Sequence, residues 1–88
     1  MVRAEAKILN RLGLHARPAN KLVKIASSGR SEVGLAYNGQ RANGRSILGV
    51  ILLQAYKGAT ISIEVRGEDE EEVLRQILEL IANKFEEE

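Results

Sequence analysis

The spacing of the apolar residues shifts along this chain from every second position to helical spacing and back, and that rhythm constrains the fold more than any one motif. Val2, Ala4, Ala6 and Ile8 alternate with Arg3, Glu5 and Lys7, which predicts a strand over residues 2–8 with one buried face. Residues 10–15 contain a glycine and little periodicity and read as a loop, and Pro18 falls where a helix would begin. Ala19, Leu22, Val23 and Ala26 then recur at helical spacing, giving a first helix over residues 16–27 that Ser27-Ser28-Gly29 stops. Val33, Leu35 and Tyr37 alternate up to Asn38-Gly39, a strong hairpin signal because both residues tolerate positive φ, and a return strand follows over 40–43. The stretch 46–55 is apolar on almost every side. Period alone allows a buried strand there, but Ser46 as N-cap and Lys57-Gly58 as stop favour a short second helix. Residues 60–66 alternate again around Ile61, Ile63 and Val65. Glu68 to Glu72 load carboxylates onto the first turn of a third helix, whose apolar stripe is Val73, Leu74, Ile77, Leu78, Ile81 and Phe85. The order is α+β, a four-stranded sheet covered on one face by three helices.

Eighty-eight residues suffice for one domain, spanning 1–88, and exclude a multidomain enzyme. Eleven Leu, eight Ile, six Val, two Tyr, one Met and one Phe supply a core that needs no staples. Tyr37 and Tyr56 read as sheet and core residues. The absence of cysteine excludes disulfides and thiolate metal clusters, and a single histidine argues against a protein-held transition metal, so no metal or cofactor is implied. No apolar run reaches membrane-spanning length and the N-terminus carries charges where a signal peptide needs apolar residues; a soluble, cytoplasmic monomer without membrane insertion is the expectation. Charge is sorted along the chain: residues 1–57 hold ten Lys or Arg against two Glu, and residues 58–88 hold three against ten acidic groups. Such sorting fits a basic surface for an anionic ligand or acidic partner, and equally a solvated charged surface with no partner.

The segment Gly13-Leu14-His15-Ala16-Arg17-Pro18-Ala19 surrounds the only histidine. Pro18 fixes φ near the helix start, where its missing N–H costs nothing. His15 then falls at or beside the N-cap, and the backbone N–H groups of Ala16 and Arg17 lack intrahelical partners at the positive end of the dipole. Arg17 adds a fork of donors suited to phosphate oxygens, and Gly13 allows the backbone to bend close to the site. A mostly neutral imidazole is nucleophilic at physiological pH, so the segment suits a phosphoryl group carried on His15 and handed onward. The plainer alternative is a capping histidine beside a surface arginine.

The same segment closely resembles the active-site signature of HPr, the histidine-containing phosphocarrier family of the bacterial phosphoenolpyruvate-dependent phosphotransferase system. Asn38-Gly39, Arg45-Ser46-Ile47-Leu48-Gly49-Val50, Lys57-Gly58-Ala59 and Gly67-Glu68-Asp69-Glu70 are also similar to that family, in order and spacing, so the resemblance covers essentially the whole chain. It implies an open-faced β-sandwich of four antiparallel strands under three helices (βαββαβα). It implies a carrier and not an enzyme: Enzyme I would phosphorylate His15, and enzyme II A-type domains would receive the group. In the family the acceptor atom is Nδ1, which no residue here identifies. Arg17 matches the phosphate-stabilising arginine and Pro18 the helix-starting proline. Ile47, Leu48 and Ile51 occupy the positions of the family's exposed docking patch, with Arg17, Lys24 and Arg45 as candidate electrostatic partners around them, while Val50 and Leu53 are core candidates. Leu52 stands where relatives often carry a smaller or polar residue, which implies a patch that is larger or partly buried. Ser46 matches the serine modified by HPr kinase/phosphorylase in many bacteria, though a serine N-cap needs no regulatory role.

Two other functions compete. A related carrier would act in a mainly regulatory or nitrogen-linked phosphotransfer chain. From a different class, the basic first part allows a small nucleic-acid-binding domain; the missing exposed aromatics, the lack of a dense Lys/Arg cluster and the near-zero net charge argue against it, so no nucleic-acid partner is expected.

Overall fold

Asn38 and Gly39, with φ of 53° and 82°, make the hairpin that joins two of the four strands, as their sequence requires. The computed structural model describes residues 1–87. Its elements are β1 (Val2–Lys7), α1 (Ala16–Ser28), β2 (Glu32–Tyr37), β3 (Gln40–Asn43), α2 (Ile47–Leu52), β4 (Thr60–Arg66) and α3 (Glu70–Ala82), followed by a short turn over Lys84–Glu86. The sheet is antiparallel throughout, in the order β1-β4-β2-β3. Central β4 pairs on both sides, so Ile63 lies between Ala4 and Leu35, and Val65 between Val2 and Val33. These rows make the buried face, because a strand turns alternate side chains to one side. Helix α3 packs on β1 and β4, α2 on β3, and α1 on its two fellow helices. This is the α+β architecture expected from the residue pattern.

Each long helix buries the face its sequence marks: Leu22, Val23 and Ala26 on α1, and Val73, Ile77 and Ile81 on α3. Leu74 and Leu78 lie half-buried beside that stripe. Asp69 stands at the start of α3 and accepts from the Arg30 backbone N–H at 3.0 Å and the Ser31 hydroxyl at 2.5 Å, which ties the α1–β2 turn to α3. Those hydrogen bonds hold its carboxyl below the usual carboxylate range. The charge sorting has an internal outlet: Met1 pairs with Glu70, Arg3 with Glu64, Lys21 with Glu86 and Arg30 with Glu68, each joining the basic part to the acidic part. Exposed pairs of this kind contribute little stability.

Three expectations need correction. The second helix ends at Leu52 and not at Lys57-Gly58, because Gln54 takes φ of 55° and turns the chain so that the Ala55 carbonyl can receive the Leu14 N–H at 2.9 Å. Tyr56, expected in the core, follows that turn outward and is 60% exposed. Phe85 belongs to the core but not to the helical stripe. Helix α3 ends at Ala82, and Lys84, Phe85 and Glu86 adopt φ of 55°, 55° and 62°. Left-handed backbone costs about 1–2 kcal/mol per residue, and full burial of the Phe85 ring offsets much of it. Lys21 Nζ donates to the Phe85 carbonyl at 2.7 Å and holds the turn against α1.

Candidate functional site

Gly13 sets the site by letting two loops touch. Its φ is 72°, and a Cβ there would sit 2.6 Å from both the Ala55 oxygen and the Tyr56 Cα, so only glycine fits. The loop from Asn10 to Leu14 thereby presses against the turn after α2, with Leu14 buried and the His15 N–H bonded to the Gly13 carbonyl at 2.9 Å. His15 comes out as the N-cap of α1, with extended backbone (φ −81°, ψ −168°) and a carbonyl that accepts the first helical hydrogen bond from Ala19. Its side chain makes no capping bond. The ring is about one third exposed; the first-turn N–H groups of Ala16 and Arg17 lie too early in the helix to have an intrahelical acceptor. Pro18, buried at the third helical position, removes an N–H that would otherwise lack a partner.

The ring meets a carboxylate that nothing in the local sequence announces. Glu87 Oε2 lies 3.0 Å from His15 Nε2, and Oε1 lies 3.3 Å from it. Oε1 also accepts from the Asn10 amide Nδ2 at 3.0 Å, and the same nitrogen donates to the Gly13 carbonyl at 2.8 Å. Asn10 is fully buried and its Oδ1 has no partner among the described residues. Burial pushes the Glu87 carboxyl up, but the hydrogen bonds from Asn10 and His15 and the nearby charges of His15 and Arg17 outweigh it and hold the group below its ordinary value. Glu87 reaches the site because the left-handed turn and the buried Phe85 reverse the chain after α3.

The other candidate residues fall into two groups. Arg17 and Lys24 lie exposed on one stripe of α1 and enter no ion pair among the described residues. Arg45 lies elsewhere, with its guanidinium on the carbonyls of Ala26 (3.1 Å), Gly29 (3.3 Å) and Ser31 (3.0 Å), where it closes the C-terminal end of α1. Ser46 is the N-cap of α2, its Oγ accepting from the Gly49 N–H at 3.0 Å. Ile47 and Leu48 are exposed, Ile51 is half-buried against the core, and Val50 and Leu53 are buried. Leu52 is exposed, and Leu12 and Tyr56, on the two loops that meet at Gly13, are exposed as well. The sequence pattern pointed to neither Leu12 nor Tyr56 as surface residues, since only tertiary packing decides which side of a loop faces water. No group of carboxylate, histidine or cysteine side chains among the described residues could hold a metal, and no helix is long and apolar enough to cross a membrane.

His15 thus stands at the N-terminus of α1, about one third exposed, on a small α+β sandwich. A family described as PTS HPr component phosphorylation site matches residues 2–83. The phosphocarrier protein HPr of Neisseria meningitidis is 44% identical over 85 residues, covering 97% of this chain and 96% of that protein. Among solved structures, HPr-C-His from Thermoanaerobacter tengcongensis superposes with a TM-score of 0.95 at 35% identity, over 100% of this chain and 99% of that one. An HPr dimer from the same organism gives a TM-score of 0.77 at 34% identity, covering 97% of this chain and 98% of that one. The chain belongs to the HPr family, the phosphocarriers of the phosphotransferase system.

Proposed function

We propose that His15 accepts a phosphoryl group from phosphorylated Enzyme I and passes it to enzyme II A-type domains of a sugar-uptake chain. The observation that carries this reading is the imidazole itself, which caps α1 through its backbone alone and leaves its ring at the surface. The first-turn N–H groups of Ala16 and Arg17 and the Arg17 guanidinium are the donors for the phosphoryl oxygens, and Pro18 fixes the turn that aims them. Partners dock on Ile47, Leu48 and the exposed edge of Ile51, extended by Leu52, with Lys24 contributing positive charge, while the Arg45 guanidinium stays on the carbonyls at the end of α1. Ser46 is a regulatory site for an HPr kinase/phosphorylase. The chain works as a single-domain cytoplasmic monomer that is phosphorylated and regenerated, and is not an enzyme in its own right.

Incubation with Enzyme I and phosphoenolpyruvate should add one phosphoryl group, labile in acid and stable in base as an N–P bond is, and His15→Ala should abolish the addition. Phosphate retained by that variant would overturn the assignment.

A further inference from the structure

We propose that Glu87 is a positioning residue for the phosphoryl acceptor: held by Asn10, its carboxylate fixes the His15 ring as the Nε2–H tautomer and turns the Nδ1 lone pair toward the incoming phosphorus. The inference rests on His15 being the acceptor.

Three observations carry it. First, the carboxylate straddles Nε2 at 3.0 and 3.3 Å. An ionised carboxylate only accepts hydrogen bonds, so the nitrogen facing it must be the one bearing hydrogen, which leaves the lone pair of the neutral ring on Nδ1. Second, Glu87 does not lie there by its own freedom. Phe85 is fully buried in the left-handed turn, Lys21 holds the Phe85 carbonyl at 2.7 Å, and Asn10 Nδ2 donates to Oε1 at 3.0 Å. Third, Asn10 is placed for its two N–H groups. Both acceptors around its amide, the Gly13 carbonyl and the Glu87 carboxylate, demand the nitrogen, and its buried Oδ1 is left without a partner. A buried acceptor without a donor is unfavourable, and at this position that disadvantage secures the orientation of Glu87.

The chemistry balances without any proton transfer. The Nδ1 lone pair forms the N–P bond as the donor's bond to phosphorus breaks and its electron pair leaves with the donor. The ring becomes a cation that still carries its Nε2 hydrogen, and Glu87 neutralises that charge. On transfer to the next acceptor the N–P bond breaks, its pair returns to Nδ1, and the ring leaves as neutral imidazole. A carboxylate orienting a nucleophilic or basic histidine through its second nitrogen is a recurrent arrangement in acyl-transfer sites.

The test compares two variants that a purely structural role would rank in the opposite order. In Glu87→Gln the amide oxygen stays on the Asn10 donor, so the amide nitrogen faces His15 Nε2 as a donor and favours the wrong tautomer. Glu87→Ala only removes the constraint. Imidazole ¹⁵N NMR of the full chain above the titration of the ring should show hydrogen on Nε2 in the wild type, a reduced preference in Glu87→Ala and hydrogen on Nδ1 in Glu87→Gln. Phosphorylation by Enzyme I should slow several-fold in Glu87→Ala and at least about tenfold further in Glu87→Gln. A Glu87→Gln variant that transfers as fast as Glu87→Ala, or keeps the wild-type tautomer, would overturn the proposal. If the wild type takes no phosphate on His15, the carrier reading falls, and the NMR comparison still decides whether Glu87 sets the tautomer.

Discussion

Two helices of this protein begin in the same way chemically and are used differently. At the start of α2, Ser46 turns its side chain back and accepts the Gly49 N–H, so the cap is complete. At the start of α1, His15 contributes only its carbonyl, and its ring is turned outward to Glu87. A helix start can use its first residue to satisfy its own donors or leave those donors and that residue for something else. The surroundings match. Helix α1 spans thirteen residues with a buried stripe and needs no side-chain cap to hold it, whereas α2 has six residues and buries only Val50 fully. On the proposed function the long helix is the support for the acceptor, while the short one presents exposed Ile47, Leu48 and Leu52.

The contrast between support and presentation should appear most strongly in stability. Leu53, buried where the chain leaves α2, should cost about 2–5 kcal/mol of folding free energy on Leu53→Ala. Leu48, 66% exposed, should cost less than about 0.5 kcal/mol of stability on Leu48→Ala. The same change should weaken Enzyme I binding by about 1–2 kcal/mol. Chemical denaturation and titration calorimetry on the two variants check this. A Leu48→Ala variant that unfolds easily and binds normally would place that side chain in the core and remove the docking patch.

The caps give the next effect. Ser46→Ala removes the acceptor of the Gly49 N–H and should destabilise the fold by about 1 kcal/mol. His15→Ala removes no capping bond and should cost only a few tenths by the same measurement, although it loses the pairing with Glu87. Equal losses at the two positions would show that the His15 ring is structural after all.

What the sequence disclosed of this arrangement follows physical range. Strands and helices repeat locally, so their order is legible in the apolar spacing, and Gly13, Pro18 and Ser46 announce their turns because each is required by backbone geometry within a few residues. The end of α2 is not legible in the pattern because its stop is a left-handed Gln54, a residue with no special preference for that conformation, stabilised by the distant Leu14 N–H. Tyr56 follows that turn to the surface. Glu87 was invisible for the same reason at larger scale. It sits in a run of glutamates that reads as solvated, and its partners Asn10 and His15 lie more than seventy residues earlier. The one available signal, an asparagine in a glycine-containing loop beside the only histidine, fits a turn residue just as well.

The smallest effect on folding should accompany a distinct effect on transfer, and it comes from making the α2 cap negative. Ser46→Asp keeps an acceptor at the N-cap, where Asp performs as well as Ser, and adds an anion at the positive end of the helix. Thermal stability should therefore stay level or rise slightly. The Arg45 guanidinium, engaged on three carbonyls at the end of α1, stays where it is, so the added charge is met by the helix donors and water. That charge adjoins Ile47 and Leu48 in sequence and must lose water when a partner covers them, so phosphorylation of His15 by Enzyme I should slow. A phosphoserine, carrying a charge of about −1.5 to −2, should slow it further through the same desolvation. Measuring melting temperature and transfer rate on one preparation separates the outcomes. A slower rate in a fully folded variant makes Ser46 a switch that works through the surface it borders, and an unchanged rate leaves it a cap and nothing more.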